Sequence, residues 1–150
     1  MDIKESIINQ IKYTSANYLK DLGFIPDDKL SASPMGSARP PLEFTAECAG
    51  FNFYAARAIN GEEQEAPTQE VRDAYFATID TREKANEALS SSAEALITAV
   101  QGADMSSEVS VAWGEPMPVA RLATMCSYHM MYHDGQLNYI QTLYGDSESH

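Results

Sequence analysis

Apolar residues recur every three or four positions in four stretches of the chain, a spacing that places them on one face of an α-helix. These stretches cover about residues 3–22, 42–59, 68–101 and 119–144. Neither proline nor glycine interrupts the third stretch, so the pattern predicts one long helix there. If that helix bends, we expect the bend at Ser90–Ser92, because serine hydroxyls compete for backbone hydrogen bonds.

Segments rich in proline, glycine and serine separate the four predicted helices. The segment 25–41 contains four of the seven prolines and is long enough to cross a helical bundle. In the segment 103–118, only residues 108–113 alternate in a way that fits a short extended piece. The pattern therefore predicts an all-α fold, an antiparallel four-helix bundle with a long connection between the first and second helices. The length of 150 residues is that of one domain, residues 1–150.

The composition narrows the classes of partner. Lys and Arg number 10 and Asp and Glu number 22, for a net charge of −12. This charge disfavours nucleic acids and anionic membranes, because both bind basic surfaces. No apolar run approaches the ~20 residues of a transmembrane helix, and the N-terminal residues lack the pattern of a secretory signal. Two cysteines are too few for a disulfide framework, so we expect a cytoplasmic protein with reduced thiols.

Two of the three histidines, His129 and His133, lie four residues apart in the last predicted helix. This spacing puts both imidazoles on one helix face, one turn apart, which is how one helix binds a metal ion. Histidines at this spacing are also found hydrogen-bonded or exposed, without a metal. The spacing alone therefore leaves both alternatives open.

A third metal ligand would come from a facing helix. Glu47 is the best placed candidate, because it lies in an apolar part of the second helix where an unpartnered carboxylate is costly. Cys48 is about 100° further around that helix, so we do not expect both residues at one site, and we interpret Cys48 and Cys126 as core residues. Gln136 is three residues after His133, and it could orient a ligand or bond to a neighbouring helix.

The segment from His129 to Leu137, HMMYHDGQL, resembles the last-helix motif of the DinB-like superfamily. In that motif, H-x-x-x-H is followed by a basic or polar residue, glycine, glutamine and an apolar residue. Length and helix pattern extend the resemblance over essentially the whole chain. It implies a four-helix bundle, frequently a homodimer, that binds nickel, zinc, iron or manganese through one histidine of the second helix and two of the last. Some members transfer a low-molecular-weight thiol such as mycothiol.

Carried over residue by residue, the resemblance makes His129 and His133 the last-helix ligands and puts Glu47 where the family has its second-helix histidine. Either Glu47 replaces the imidazole, giving a two-histidine, one-carboxylate site that suits iron(II) and harder ions, or the metal is lost and Glu47 pairs with a protonated histidine. The first alternative implies a metal-dependent transferase or hydrolase acting on a small molecule. The second implies a non-catalytic dimeric bundle that serves as a binding or interaction protein.

Overall fold

The computed structural model describes residues 2–150, which form five α-helices and one two-stranded hairpin. The helices are α1 (Ile3–Leu22), α2 (Pro41–Ile59), α3 (Gln69–Ala77), α4 (Arg82–Gly102) and α5 (Val119–Leu143). Strands β1 (Glu108–Val109) and β2 (Met117–Pro118) pair antiparallel between α4 and α5. One turn of 3-10 helix, Asp27–Lys29, lies in the long connection between α1 and α2.

Four of the helices form the bundle. Helix α2 packs mainly along α4, and α1 packs mainly along α5, while contacts of α1 with α4 and of α2 with α5 close the arrangement. Their buried apolar faces meet in one hydrophobic cluster. The expected all-α bundle with a long α1–α2 connection is confirmed. Within residues 2–150, no helix has the length and apolar character needed to cross a membrane.

The prediction of one helix over residues 68–101 is wrong, because the chain breaks between α3 and α4. The Thr78 hydroxyl donates to the carbonyl of Tyr75 at 2.6 Å, and the Thr81 side chain caps α4 by accepting from the backbone N–H of Lys84. These hydroxyls replace hydrogen bonds that a continuous helix would make. Burial of Ile79 in the break, 5% exposed, fixes the bend. The serine run lies inside α4 without ending it.

Helix α3 lies outside the bundle and packs mainly on α2. None of its residues is fully buried. At Gly50 of α2, an added Cβ atom would lie 3.3 Å from Cε1 of Tyr75. The absent side chain lets the tyrosine ring rest on the α2 backbone. As a result, α3 forms one wall of a groove whose other wall is α2.

Candidate metal centre

Side chains from the middle of α2 and the middle of α5 meet at one cluster. The Nε2 atoms of His129 and His133 are 3.1 Å apart. Oε1 of Glu47 lies 3.3 Å from Nε2 of His129 and 4.0 Å from Nε2 of His133. Ligand atoms that sit ~2.1 Å from one ion are themselves roughly 3–3.5 Å apart. The three atoms are therefore close enough to share an ion after small side-chain movements.

Cys48 belongs to the same cluster. Its Sγ atom and the ligand nitrogens of His129 and His133 all lie within 4.8 Å of one another. Glu47 and Cys48 were not expected at one site, yet Oε1 of Glu47 and Sγ of Cys48 each lie near both imidazoles. Cys48 is also part of the core, with no exposed surface. Burial raises the pKa of its thiol well above the usual value, so the thiol is neutral at pH 7.

His133 is fixed on several sides. Its Nδ1 atom is 2.6 Å from Oε1 of Gln136, and since a carbonyl oxygen only accepts, Nδ1 carries the proton. The Phe44 ring stacks on the imidazole in parallel, with centroids 5.1 Å apart. Burial lowers the pKa of His133, which favours a neutral ring whose Nε2 lone pair faces the cluster. Gln136 thus contacts a histidine of its own helix, which is the contact that the orienting role requires.

His129 is held by fewer contacts. Its side chain is 23% exposed, and its ring meets the edge of Phe51 with centroids 5.3 Å apart. Because Nε2 of neutral His133 has no proton, His129 supplies the proton between the two rings, and Oε1 of Glu47 shares this same Nε2–H donor at 3.3 Å. The Nδ1 atom of His129 is buried and finds no hydrogen-bond partner among residues 2–150. The ring is thus anchored through Nε2 alone.

Glu47 is ionised in this setting, with its pKa lowered to about 2. The hydrogen bond from His129 is the main cause; burial opposes it, and the neighbouring Arg39 guanidinium lowers the pKa further. Arg39 forms a salt bridge to Oε2 of Glu47 and a longer one, 3.6 Å, to Glu43. The carboxylate therefore presents Oε2 to the arginine and Oε1 to the histidines. The sequence did not reveal Arg39, because the proline-rich connection has no periodicity that places its side chains.

The donor set fits a divalent metal ion. Neutral imidazoles, a carboxylate and a thiol are the side chains that bind zinc, iron and nickel in proteins. The hydrogen bond from Nδ1 of His133 to Gln136 has the form found behind metal-binding histidines, where it fixes the tautomer and the ring orientation. The cluster can thus hold an ion through His129, His133 and one or both of Glu47 and Cys48.

Two cavities of about 500 Å³ flank the cluster. One is lined by Arg39, Phe44, Gln136 and the outer part of α5, and by none of the four cluster residues. The other, here called the aromatic cavity, lies between α2 and α3 and includes Glu47 and His129 in its lining. A small molecule can therefore approach the cluster through the aromatic cavity.

Residues 10–137 match the sequence pattern of the DinB superfamily. The chain belongs to the DinB superfamily. This confirms the family resemblance carried by the His129–Leu137 segment. The match covers α2 and both histidines of α5, and it therefore includes the whole candidate metal centre of this DinB protein.

Among solved structures, this DinB protein is similar in fold to the mycothiol-dependent maleylpyruvate isomerase. The TM-score is 0.70 at 18% identity, over 91% of this chain and 61% of that chain. A histidine-to-alanine variant of the same enzyme gives 0.70 at 17% identity, with the same coverage. At this identity the likeness is one of fold alone, and this chain spans about three fifths of that enzyme's length. No match was found among the curated proteins.

Proposed function

We propose that this DinB protein is a divalent-metal-dependent enzyme acting on a small molecule, either as a transferase of a low-molecular-weight thiol or as a hydrolase. The observation that carries the proposal is the convergence of His129, His133 and Glu47, whose facing atoms lie 3.1–4.0 Å apart. A metal ion held there would lower the pKa of a bound water or thiol and polarise a carbonyl group.

We propose Glu47 as the third ligand in preference to Cys48. Glu47 is already ionised, whereas Cys48 would first have to lose a proton that burial holds on the sulfur. Arg39 would steady the second carboxylate oxygen, which leaves Oε1 directed at the ion. His133, oriented by Gln136, would present its Nε2 lone pair once His129 gives up the Nε2 proton that it now donates to His133.

A two-reactant reaction is supported by the aromatic cavity, which has a volume of about 500 Å³ and includes Glu47 and His129 in its lining. This cavity could take the acceptor molecule, with the thiol held beside it at the metal. The similarly folded isomerase is described as mycothiol-dependent, which supports a thiol as one reactant. Hydrolysis would need room for one substrate only.

Elemental analysis of the untagged protein, beside a His133→Ala variant, tests the proposal. We expect about one equivalent of nickel, zinc, iron or manganese in the protein and none in the variant. Assays of thiol transfer and of ester and amide hydrolysis would follow on the loaded protein. Absence of metal from both proteins, even after incubation with each ion, would contradict the proposal.

Three further variants identify the third ligand. Glu47→Ala should weaken metal binding while Cys48→Ala leaves it nearly unchanged, and Glu47→His should preserve or tighten it by supplying a third imidazole. Cobalt(II) substitution reports the ligand directly, because a bound thiolate adds a sulfur-to-metal charge-transfer band in the near ultraviolet. If that band is present and disappears in Cys48→Ala, the third ligand is Cys48 and the assignment of Glu47 is wrong.

A non-catalytic bundle is the second candidate, and the Arg39–Glu47 salt bridge favours it. With Arg39 on one oxygen and His129 on the other, the carboxylate is satisfied by protein groups alone. On this alternative, added ions leave the melting temperature unchanged. If an ion binds, a concentration 100 times its Kd stabilises the fold by ~2.7 kcal/mol, which a thermal melt detects.

We also propose a homodimer formed through the outer face of α5. Four large apolar or aromatic side chains on that face are more than half exposed: Tyr128 at 61%, Met131 at 51%, Tyr132 at 65% and Tyr139 at 68%. Exposed patches of this kind mark interaction surfaces. Light scattering should give a dimer, and Tyr128→Glu with Met131→Glu should give a monomer; a monomeric parent protein would contradict the proposal.

A further inference from the structure

We propose that the aromatic cavity binds a small aromatic carboxylic acid of one or two rings, with the ring against its aromatic wall and the carboxylate at Arg57 and Arg72. The inference rests on the proposed function in one respect, namely that the bound acid would be presented to the metal centre. Binding of the acid itself does not require the ion. This cavity would then select the acceptor substrate.

The first support is the character of the wall. Six aromatic side chains from three parts of the chain line the cavity: Phe51, Phe53, Tyr54, Tyr75, Phe76 and Trp113. Such a lining favours a flat apolar group, because ring faces and edges pack well against one another.

Trp113 is positioned as one side of this wall. The backbone N–H of Ala112 donates to the Tyr54 hydroxyl at 2.8 Å, which ties the turn between β1 and β2 to α2. The indole ring then lies 4.8 Å from the Tyr54 ring and 5.6 Å from the Phe51 ring, centroid to centroid. These spacings are typical of interacting aromatic pairs. Even so, Trp113 is 48% exposed, so the residue keeps surface that a ligand can contact.

The second support is the charge. Arg57 and Arg72, two of the five arginines in a chain of net charge −12, line this cavity. Arg72 donates to Oε1 of Gln69 and to the carbonyl of Pro67, and within residues 2–150 neither arginine forms a salt bridge. A guanidinium that no protein carboxylate occupies is suited to bidentate binding of a ligand carboxylate.

The placement of these groups sets the orientation of the ligand. Arg57 follows Glu47 by ten residues, or about 15 Å along α2, and Phe51 and Tyr54 lie between them. A ring beside Phe51 and Tyr54 can thus direct its carboxylate toward Arg57 and its other end toward Glu47 and His129. Glu65 also lines the cavity, and a second negative charge on the ligand near that residue would be disfavoured.

Fluorescence of Trp113, the chain's one tryptophan, reports binding directly. We would titrate 3-phenylpropionate into the chelator-treated protein and into the metal-loaded protein, with calorimetry as a second readout. We expect a saturable change in both forms. The neutral amide, 3-phenylpropionamide, should bind about tenfold more weakly, because it lacks the charge that the guanidinium groups recognise.

The double variant Arg57→Gln, Arg72→Gln should also weaken 3-phenylpropionate binding by about tenfold or more, whereas the matched control Arg121→Gln, outside the cavity, should not. Equal binding of acid and amide, equal binding to the double variant, or no saturable signal by either method would overturn the inference. If the acid binds a protein that takes up no metal, the proposed function fails and the cavity assignment stands. If metal binds and the acid does not, only the cavity assignment fails.

Discussion

The two histidines of the candidate metal centre are held very differently. His133 is 1% exposed, bonded to Gln136 and stacked on Phe44; these three residues are called here the inner half. The outer half is His129 with Phe51, where the ring borders the aromatic cavity and Nδ1 lacks a partner. If an ion binds as proposed, the inner half would fix its position, while the outer half would leave one side of the ion open to a reactant.

The largest effect is expected from His133→Ala. It should abolish metal binding and lower the free energy of unfolding by roughly 2–4 kcal/mol, because it empties a buried site and leaves Gln136 without its partner. Elemental analysis and urea denaturation measure the two effects. His150→Ala is the control for loss of a histidine outside the centre and should keep its metal. Retention of a full equivalent by His133→Ala would show that the inner half does not hold the ion.

His129→Ala should lose metal as well but leave the fold nearly intact. The ring is partly exposed and has only one hydrogen-bonding nitrogen engaged, so we expect the free energy of unfolding to fall by less than about 1 kcal/mol. The same denaturation experiment measures this. If His129→Ala lowers the free energy of unfolding as much as His133→Ala does, both halves stabilise the fold equally, and the proposed difference between them is wrong.

Gln136 provides a finer test of the inner half. Gln136→Leu should weaken metal affinity about 10–100-fold, because the hydrogen bond that orients His133 is lost. Gln136→Glu keeps an acceptor oxygen and should restore most of that affinity. Calorimetric titration with zinc compares the three proteins. If both variants lose affinity equally, Gln136 acts through packing and not through the ring nitrogen.

The smallest expected effect is a change in the pH dependence of stability, caused by the carboxyl group of Asp134 beside the inner half. Asp134 lies next to His133 on α5 and faces Asp21 of α1, which accepts a hydrogen bond from Asn138 at 2.8 Å. Burial, followed by the nearby Asp21 carboxylate, raises the pKa of Asp134 to about 7. The folded protein therefore keeps a proton that the unfolded chain releases near pH 4, so stability falls as the pH rises from about 4 to 7 and the full cost remains above pH 7.

Asp134→Asn removes this titration. The variant should match the parent protein near pH 4 and be more stable by about 1 kcal/mol at pH 8, a value reduced for the partial exposure of the group. Thermal melts at pH 4, 6 and 8 follow the growing difference. Metal affinity at pH 8 should not change, because the side chain faces α1 and not the cluster. A difference that is constant with pH would contradict the assigned pKa.

Much of the bundle could be predicted from the sequence. Helix α1 occupies the predicted residues, and α2 and α5 differ from the prediction by one residue at one end. These helices were predictable because their apolar periodicity is strong and proline-rich segments mark their ends. The break between α3 and α4 could not be predicted, because it depends on threonine hydroxyls and on burial of Ile79 against the rest of the fold.

The candidate site was predictable only where it lies on one helix. The spacing of His129 and His133, with Gln136 one turn further on, places all three on one side of α5. Contacts between elements could not be predicted, because helix periodicity does not show which side chains of other elements contact the site. Arg39 from a connection and Trp113 from a turn therefore came from the structure alone, as did the closeness of Cys48 to both imidazoles.

Helix α3 has a consequence for how the protein can diversify. It supplies one wall of the aromatic cavity, yet none of its residues is fully buried and its main contact is with α2. Tyr75 and Phe76 pack against the core, but the exposed residues of α3, such as Val71 and Arg72, can be substituted at little cost to the bundle or to the histidine cluster. Ligand preference can therefore be altered through this one helix while the bundle stays unchanged.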